Sequence, residues 1–245
     1  QVGAIVVTGA GRAFCAGMDL NAAADNAFGL SEHLQPTLDD MRERSDQDDI
    51  KNGVRDSGGL VVLAMYDCKK PIIGAINGAA VGIGATMACA MDIRLASEKA
   101  KVGFVFNKIG ITPEACSSWF LPRLVGIQTA LEWCYTAEIL TAETLLKERF
   151  VKAIYAPEEL LNEAYALAAR MVNFSQVSMA LTRQMIYRNS AQDHPVKAHQ
   201  VDSLAVFYAS QTSGKEGVNA FLEKRAAKFT EKASSDMPPF YPWWE

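Results

Sequence analysis

Two short apolar runs, Ala4–Val7 and Ile72–Ile76, are each closed by a polar residue and a glycine (Thr8-Gly9, Asn77-Gly78) and read as buried strands. Between them, Gly58–Asp67 (GGLVVLAMYD) reads as a helix leading to Lys69-Lys70-Pro71, where the proline turns the chain out of helical conformation. Asp92–Ala96 and Lys101–Phe104 read as short strands parted by a Ser97-Glu98 turn. Thr112 has N-cap chemistry, with Pro113 at the first helical position and Glu114 in the first turn. Beyond it the pattern is helical over Thr129–Cys134, Thr141–Arg149, Glu158–Val172, Val177–Asn189, Val196–Ala209 and Lys215–Lys228. Leu160, Leu161, Ala164, Leu167 and Met171 give the third of these an apolar side, and Glu163 and Arg170 a polar one. Ser213 and Glu216 have capping-box spacing at the start of the last. Asn21–Asp56 turns polar and acidic and reads as a solvated helix face and loop. There is no internal repeat.

Composition narrows the classes. With 245 residues, 49% hydrophobic and 21% charged, the chain can bury a large core. A net charge of −4 gives no reason to propose nucleic acid as the main partner, and a small anionic substrate would need a local basic patch. Cys15, Cys68, Cys89, Cys116 and Cys134 are scattered without CxxC spacing and read as reduced, mostly buried thiols of a cytosolic compartment. No apolar run approaches the roughly 18 residues of a membrane span. The chain opens in a β-run without a signal peptide and ends PPFYPWWE without a peroxisomal tripeptide, so a cytoplasmic location is expected. His33, His194 and His199 are single histidines without a metal-type pattern; the last two read as surface or capping residues.

Two glycine turns carry the candidate chemistry. INGAAVGIGATMACAMD, Ile76–Asp92, reads as a strand end, a turn bearing Gly78, Gly82 and Gly84, and an apolar helix. The first amides of such a helix lack intrahelical partners and sit at the positive end of its dipole, a site for a phosphate or a transient oxyanion. Tight packing of a helix on a sheet explains the glycines equally well. The second turn follows the first strand: Thr8-Gly9-Ala10-Gly11-Arg12, then Phe14-Cys15-Ala16-Gly17-Met18-Asp19-Leu20.

Strand–GRAFCAGxDL followed about sixty residues later by NGxAxGxG and a helix ending CAMDIRLAS resembles the enoyl-CoA hydratase/isomerase (crotonase) family, and Ala100–Gly126 and Glu216–Phe229 extend the resemblance through nearly the whole chain. The resemblance implies an α/β crotonase fold, with a spiral of ββα units over residues 1–190 and a C-terminal helical trimerisation segment over 191–245. It implies an acyl-CoA thioester as substrate, no cofactor beyond the coenzyme A that is part of that substrate, and a homotrimer or dimer of trimers. Family members carry a hairpin and a helix ahead of the strand that starts here at Val2, so CoA contacts from that segment are expected outside this sequence.

Residue by residue, the resemblance puts the two backbone donors of an oxyanion hole on Met18 and Ile83. Ala16, Gly17, Asp19 and Leu20 would contact the adenine and pantetheine end of CoA, Gly82 would border the thioester, and Lys224 would meet a CoA phosphate. Phe106 and Trp119 would line the acyl pocket. Family hydratases hold water between two glutamates; the corresponding positions here are Thr86 and Phe106. Pro-Glu-Ala-Cys-Ser-Ser, with Glu114, resembles instead the segment of peroxisomal-type Δ3,Δ2-enoyl-CoA isomerases in which one glutamate is the sole acid–base. A glutamate in a helix first turn needs no catalytic explanation, and that location lowers its pKa. The two missing hydratase glutamates favour the catalytic role. Ser117 and Ser118 have no evident His or Asp partners for hydrolase chemistry. Glu138 and Glu143 flank a helix start. Three readings follow: an isomerase using Glu114; a hydratase or other lyase of fatty-acid or related acyl-CoA degradation with an unidentified water-activating group; and an acyl-CoA-binding paralogue with little turnover.

Overall fold

The computed structural model describes residues 2–19, 26 and 28–244. By its internal contacts the chain forms two compact units, one of residues 8–66 and 74–160, the other of residues 1–7, 67–73 and 161–245.

The first unit holds the glycine turns. Strand β1 (Ile5–Thr8), whose first three residues belong to the other unit, is followed by β2 (Ala13–Cys15), two short helices α1 (Leu38–Glu43) and α2 (Asp48–Gly53), and α3 (Ser57–Asp67). Thr37 and Asp40 cap α1 reciprocally, and no residue of α1 is buried; of the polar stretch Asn21–Asp56, residues 21–25 and 27 lie outside the described residues. Then come β3 (Ile72–Ile76), β4 (Ala79–Val81), α4 (Ile83–Cys89), β5 (Ile93–Ser97), β6 (Lys101–Gly103), a 3-10 helix at Val105–Ile109, α5 (Ser117–Val125), α6 (Ile127–Thr136), β7 (Ile139–Thr141), α7 (Ala142–Lys147) and β8 (Ala153–Tyr155). The strands form two four-stranded sheets, ordered β1-β3-β5-β8 and β2-β4-β6-β7. Of the second sheet the sequence pattern shows β6; β2, β4 and β7 escape it because three residues fall below the length at which alternation registers.

Every residue of β3 is buried, as its continuous apolar run predicts. Buried Arg94 donates to the carbonyls of Ala88, Met91 and Phe150, which ties the end of α4 to the segment before β8 and gives it a structural role. Phe104, Trp133 and Phe150 pack face and edge behind it.

The other unit is built from the helices α8 (Leu160–Ala169, from its second residue), α9 (Gln176–Asn189), α10 (Pro195–Gln211) and α11 (Ser213–Leu222). His194 accepts the Val196 amide at 3.1 Å and caps α10, the capping role expected of it. Arg183 and Gln184, both buried, donate to the Cys68 carbonyl. The C-terminal aromatics Phe240, Tyr241 and Trp243 pack on Val177, Leu181 and Ala205, and Arg188 lies 3.2 Å over the Trp244 ring. The expected Ser213–Glu216 capping box does not form: Ser213 is already inside α11, and Glu216 instead takes Arg225 and the Lys228 amide, which stops the helix six residues short of Lys228. All five cysteines are free, with Cys89 buried and the other four partly exposed.

Candidate active site

Parallel pairing of β2 with β4 sets Ala13 opposite Ala79 and Cys15 opposite Ala80, so the two glycine turns leave the same end of one sheet side by side. Asn77 enforces the arrangement: its amide donates to the carbonyls of Gly9 and Gly11, and its oxygen accepts the Gly9 amide at 3.0 Å. The asparagine of the second motif thus folds the loop of the first, a link that neither motif shows alone.

Beyond the strand ends, Gly17 takes φ +101° and Gly82 φ +58°, conformations that L side chains rarely adopt. A Cβ on Gly17 would meet the Val81 carbonyl oxygen at 3.1 Å. The Gly82 amide is used by the Gly103 carbonyl, and the Gly82 carbonyl accepts from both Ala85 and Thr86. This leaves the amides of Ile83 and Gly84 at the head of α4 with no carbonyl one turn behind them. Ala16, Met18 and Asp19 are exposed around Gly17. Leu20, the remaining residue expected on this side, lies outside the described residues.

Glu114 is brought to the same place, by a route that differs from the expected helix. Residues 112–116 are irregular; α5 starts only at Ser117, and both Ala115 (φ +55°) and Cys116 (φ +53°) are left-handed. Such residues cost on the order of 1–3 kcal/mol each and persist only where their surroundings fix them. Here Asp56 caps α3 by accepting the Gly59 amide and, with the same oxygen, accepts the Ala115 amide at 3.2 Å. The Ser117 amide and hydroxyl both bond the Glu114 carbonyl. Tertiary bonds therefore override the Thr-Pro-Glu helix start, and Glu114 does not lie in a helix first turn.

The Glu114 carboxylate accepts the Thr86 hydroxyl on Oε1 at 2.7 Å. Its Oε2 and the Ile83 side chain both press on Gly58, where an added Cβ would stand 2.2 and 2.4 Å from them. Thr86 thus holds the Glu114 carboxylate from α4. Burial raises the Glu114 pKa to about 7; the Thr86 hydroxyl opposes the rise, and the hydrogen bond and negative charge of Asp56 add to it. A carboxyl with that pKa is suited to taking and returning a proton near neutrality.

Other expected site residues fall elsewhere. Phe106 is buried in the 3-10 helix, its carbonyl accepting the Ile111 amide. Trp119 is edge-on to Tyr66 and Phe120 and lies under Arg123, with 3.9 Å between the guanidinium and the ring. Tyr66 is eight residues along α3 from Gly58, about 12 Å at helical rise, so this aromatic cluster stands at the far end of α3 from the carboxylate. Lys224 belongs to the other unit, exposed and left-handed just past α11. Glu138 is exposed, and Glu143 lies in the first turn of α7. Sequence reasoning missed Asp56, Gly58 and Asn77 as site residues. Among the described residues no group of three His, Cys, Asp or Glu side chains stands where it could hold a metal ion, and no helix is long and apolar enough to cross a membrane.

Two turns that follow neighbouring parallel strands thus lie beside a half-buried carboxyl of raised pKa held by Thr86 of α4. The family model for enoyl-CoA hydratase/isomerase matches residues 1–232, and the chain belongs to that family of enzymes. It is 39% identical over 234 residues to an enoyl-CoA hydratase of Alternaria alternata, covering 94% of this chain and 72% of that protein. It is 31% identical over 231 residues to the 1,2-epoxyphenylacetyl-CoA isomerase of Escherichia coli, covering 93% and 81%. The crystal structure of a probable enoyl-CoA hydratase/isomerase from Mycobacterium abscessus matches 94% of this chain and 82% of its own, with a TM-score of 0.74 at 28% identity. The fold is the expected crotonase α/β fold with a C-terminal helical region.

Proposed function

We propose that the protein is a Δ3,Δ2-enoyl-CoA isomerase whose single acid–base group is Glu114. The observation that carries this reading is the half-buried Glu114 carboxyl, with a pKa raised to about 7, against Gly58 and Ile83. Its carboxylate takes a C2 proton from a 3-enoyl thioester. The electron pair spreads over C2–C4 and the thioester oxygen, where the amides of Met18 and Ile83 receive the charge. One such donor is typically worth about 2.7–4 kcal/mol in the transition state. The carboxylic acid then returns the proton to C4, leaving the double bond between C2 and C3. One carboxyl completes both steps, and no cofactor is needed beyond the coenzyme A of the substrate. Ala16, Gly17, Asp19 and Leu20 are assigned to CoA, Gly82 to the thioester, Phe106 and Trp119 to the acyl chain and Lys224 to a CoA phosphate. The acyl-CoA enzyme would work as a homotrimer or dimer of trimers, and its free cysteines fit a reducing, cytoplasmic location.

The hydratase names among the relatives support a second reading, water addition to a 2-enoyl thioester. It requires a water held by Glu114 and Asp56 in place of the two usual glutamates.

The pH dependence tests the assignment of Glu114. Its active form is the carboxylate, so kcat/KM for a 3-enoyl-CoA should rise tenfold per pH unit up to about 7 and then level. At pH 5 it should stand about a hundredfold below the plateau. A profile flat down to pH 5 would show that some other group, or none, is the base.

A further inference from the structure

Helix α3 opens on two buried glycines, Gly58 and Gly59, although glycine weakens a helix. Neither has a positive φ, so backbone conformation does not explain them. Space explains both. A Cβ on Gly59 would meet the Asp56 carboxylate oxygens at 2.7 and 2.8 Å, so this glycine admits the cap of its own helix. A Cβ on Gly58 would meet Glu114 Oε2 at 2.2 Å, Ile83 Cδ1 at 2.4 Å and the Ala115 Cβ at 3.2 Å. Its missing side chain therefore makes room for two other segments of the chain.

The Glu114 carboxylate is seated from two sides. The buried Thr86 hydroxyl donates to Oε1 at 2.7 Å, and Oε2 fills the gap over Gly58. A donor on Oε1 disfavours a proton on that oxygen, so the transferred proton belongs on Oε2. We propose that Gly58 is a positioning residue for the proton transfer: the space it leaves holds Glu114 Oε2 within reach of C2 and C4 of the thioester. The proposal rests on the reading of Glu114 as the base.

The two atoms nearest the space, Oε2 and Ile83 Cδ1, are the ends of flexible side chains. They can move aside for a methyl group while the backbone stays, and Ala115 has to give by only a few tenths of an ångström. Alanine at this position therefore leaves the fold standing and displaces the carboxylate. A shift of about 1 Å at a reacting group can cost about a hundredfold in rate.

Gly58→Ala should lower kcat for a 3-enoyl-CoA by about a hundredfold and change KM by less than about threefold. The same substitution made in Glu114→Gln separates positioning from structure. Proton transfer by Glu114 is already gone there, so Gly58→Ala should cost less than about threefold more. An equal loss in both backgrounds would mean that Gly58 serves the fold, and would overturn the proposal, as would wild-type kcat in Gly58→Ala. Ile83→Val added to Gly58→Ala removes the second collision; recovery of activity there would assign the glycine to the oxyanion turn and overturn the proposal as well. Full wild-type activity in Glu114→Gln would overturn the reading of Glu114 instead, so the two failures are told apart. If Gly58→Ala does not fold, the double variant Gly58→Ala, Glu114→Ala decides the matter by circular dichroism. Recovered folding shows that the Cβ and the carboxylate compete for one space and supports the proposal; no recovery overturns it.

Discussion

Glu114→Gln should lower kcat for 3-enoyl-CoA isomerisation by about 10²–10⁴-fold, the range a positioned general acid–base supplies. Glutamine has the same length, still reaches the Thr86 hydroxyl and still fills the space against Gly58, so the loop and the oxyanion amides keep their places. KM should therefore change little. Stability gives an independent check with a definite sign. Glu114 has its pKa raised in the folded state to about 7, above the ordinary carboxylate value of 4.5, so the folded protein loses stability as pH rises from about 4.5 to about 7. Above pH 7 that cost is complete, and the glutamine variant does not bear it. At pH 8 its melting temperature should equal or exceed that of the wild type. A large loss of activity with a lower melting temperature would point to a structural rather than a chemical part for the residue.

Gly84→Ala is expected to have the second largest effect, lowering kcat by about 10²–10³-fold, the loss that follows removal of one oxyanion donor. A Cβ at this position would stand 2.1 Å from the Cys15 carbonyl oxygen and 2.9 Å from the Cys15 Cβ. Neither atom is the free end of a flexible side chain, so the clash separates the head of α4 from the end of β2. Those two elements carry Ile83 and, three residues past Cys15, Met18. A single methyl group therefore drives apart the two amides that must meet on one oxygen. Gly11→Asn is the matched control: Gly11 has φ +75°, which asparagine tolerates, and nothing stands within 4 Å of an added Cβ. Kinetics on both variants, with circular dichroism to confirm folding, check this. Equal activities would mean that the α4–β2 contact does not position the donors.

The contrast between these residues shows what one chain reveals when read linearly. β3 is legible because a fully buried strand is a continuous apolar run, β1 because its short apolar run ends in a Thr-Gly turn although its residues are only partly buried, and α3 from its composition and the proline beyond it. The Met18 and Ile83 turns are legible because glycines required by backbone geometry keep a recognisable spacing. Glu114 is legible as a residue but not as a geometry. Thr112-Pro113-Glu114 satisfies every local rule for a helix start, yet Asp56, 59 positions before Ala115, captures the Ala115 amide and delays the helix to Ser117. Local preference is worth tenths of a kcal/mol to about one, and a tertiary hydrogen bond to a charged group outweighs it. Asp56 itself was hidden among acidic neighbours that are solvated. Trp119, an aromatic residue near Glu114 in sequence, packs on Tyr66 and Phe120 from the first turn of α5, a contact that a linear reading does not show.

The central claim is that this site moves a proton within one substrate rather than adding water to it. Mass spectrometry of a 3-enoyl-CoA and a 2-enoyl-CoA, each incubated with the enzyme, tests it directly, with chromatography resolving the double-bond isomers. The account predicts conversion of the 3-enoyl to the 2-enoyl form with no change of mass on either substrate. Rapid gain of one water by the 2-enoyl-CoA would contradict it and assign Glu114 and Asp56 to a hydratase.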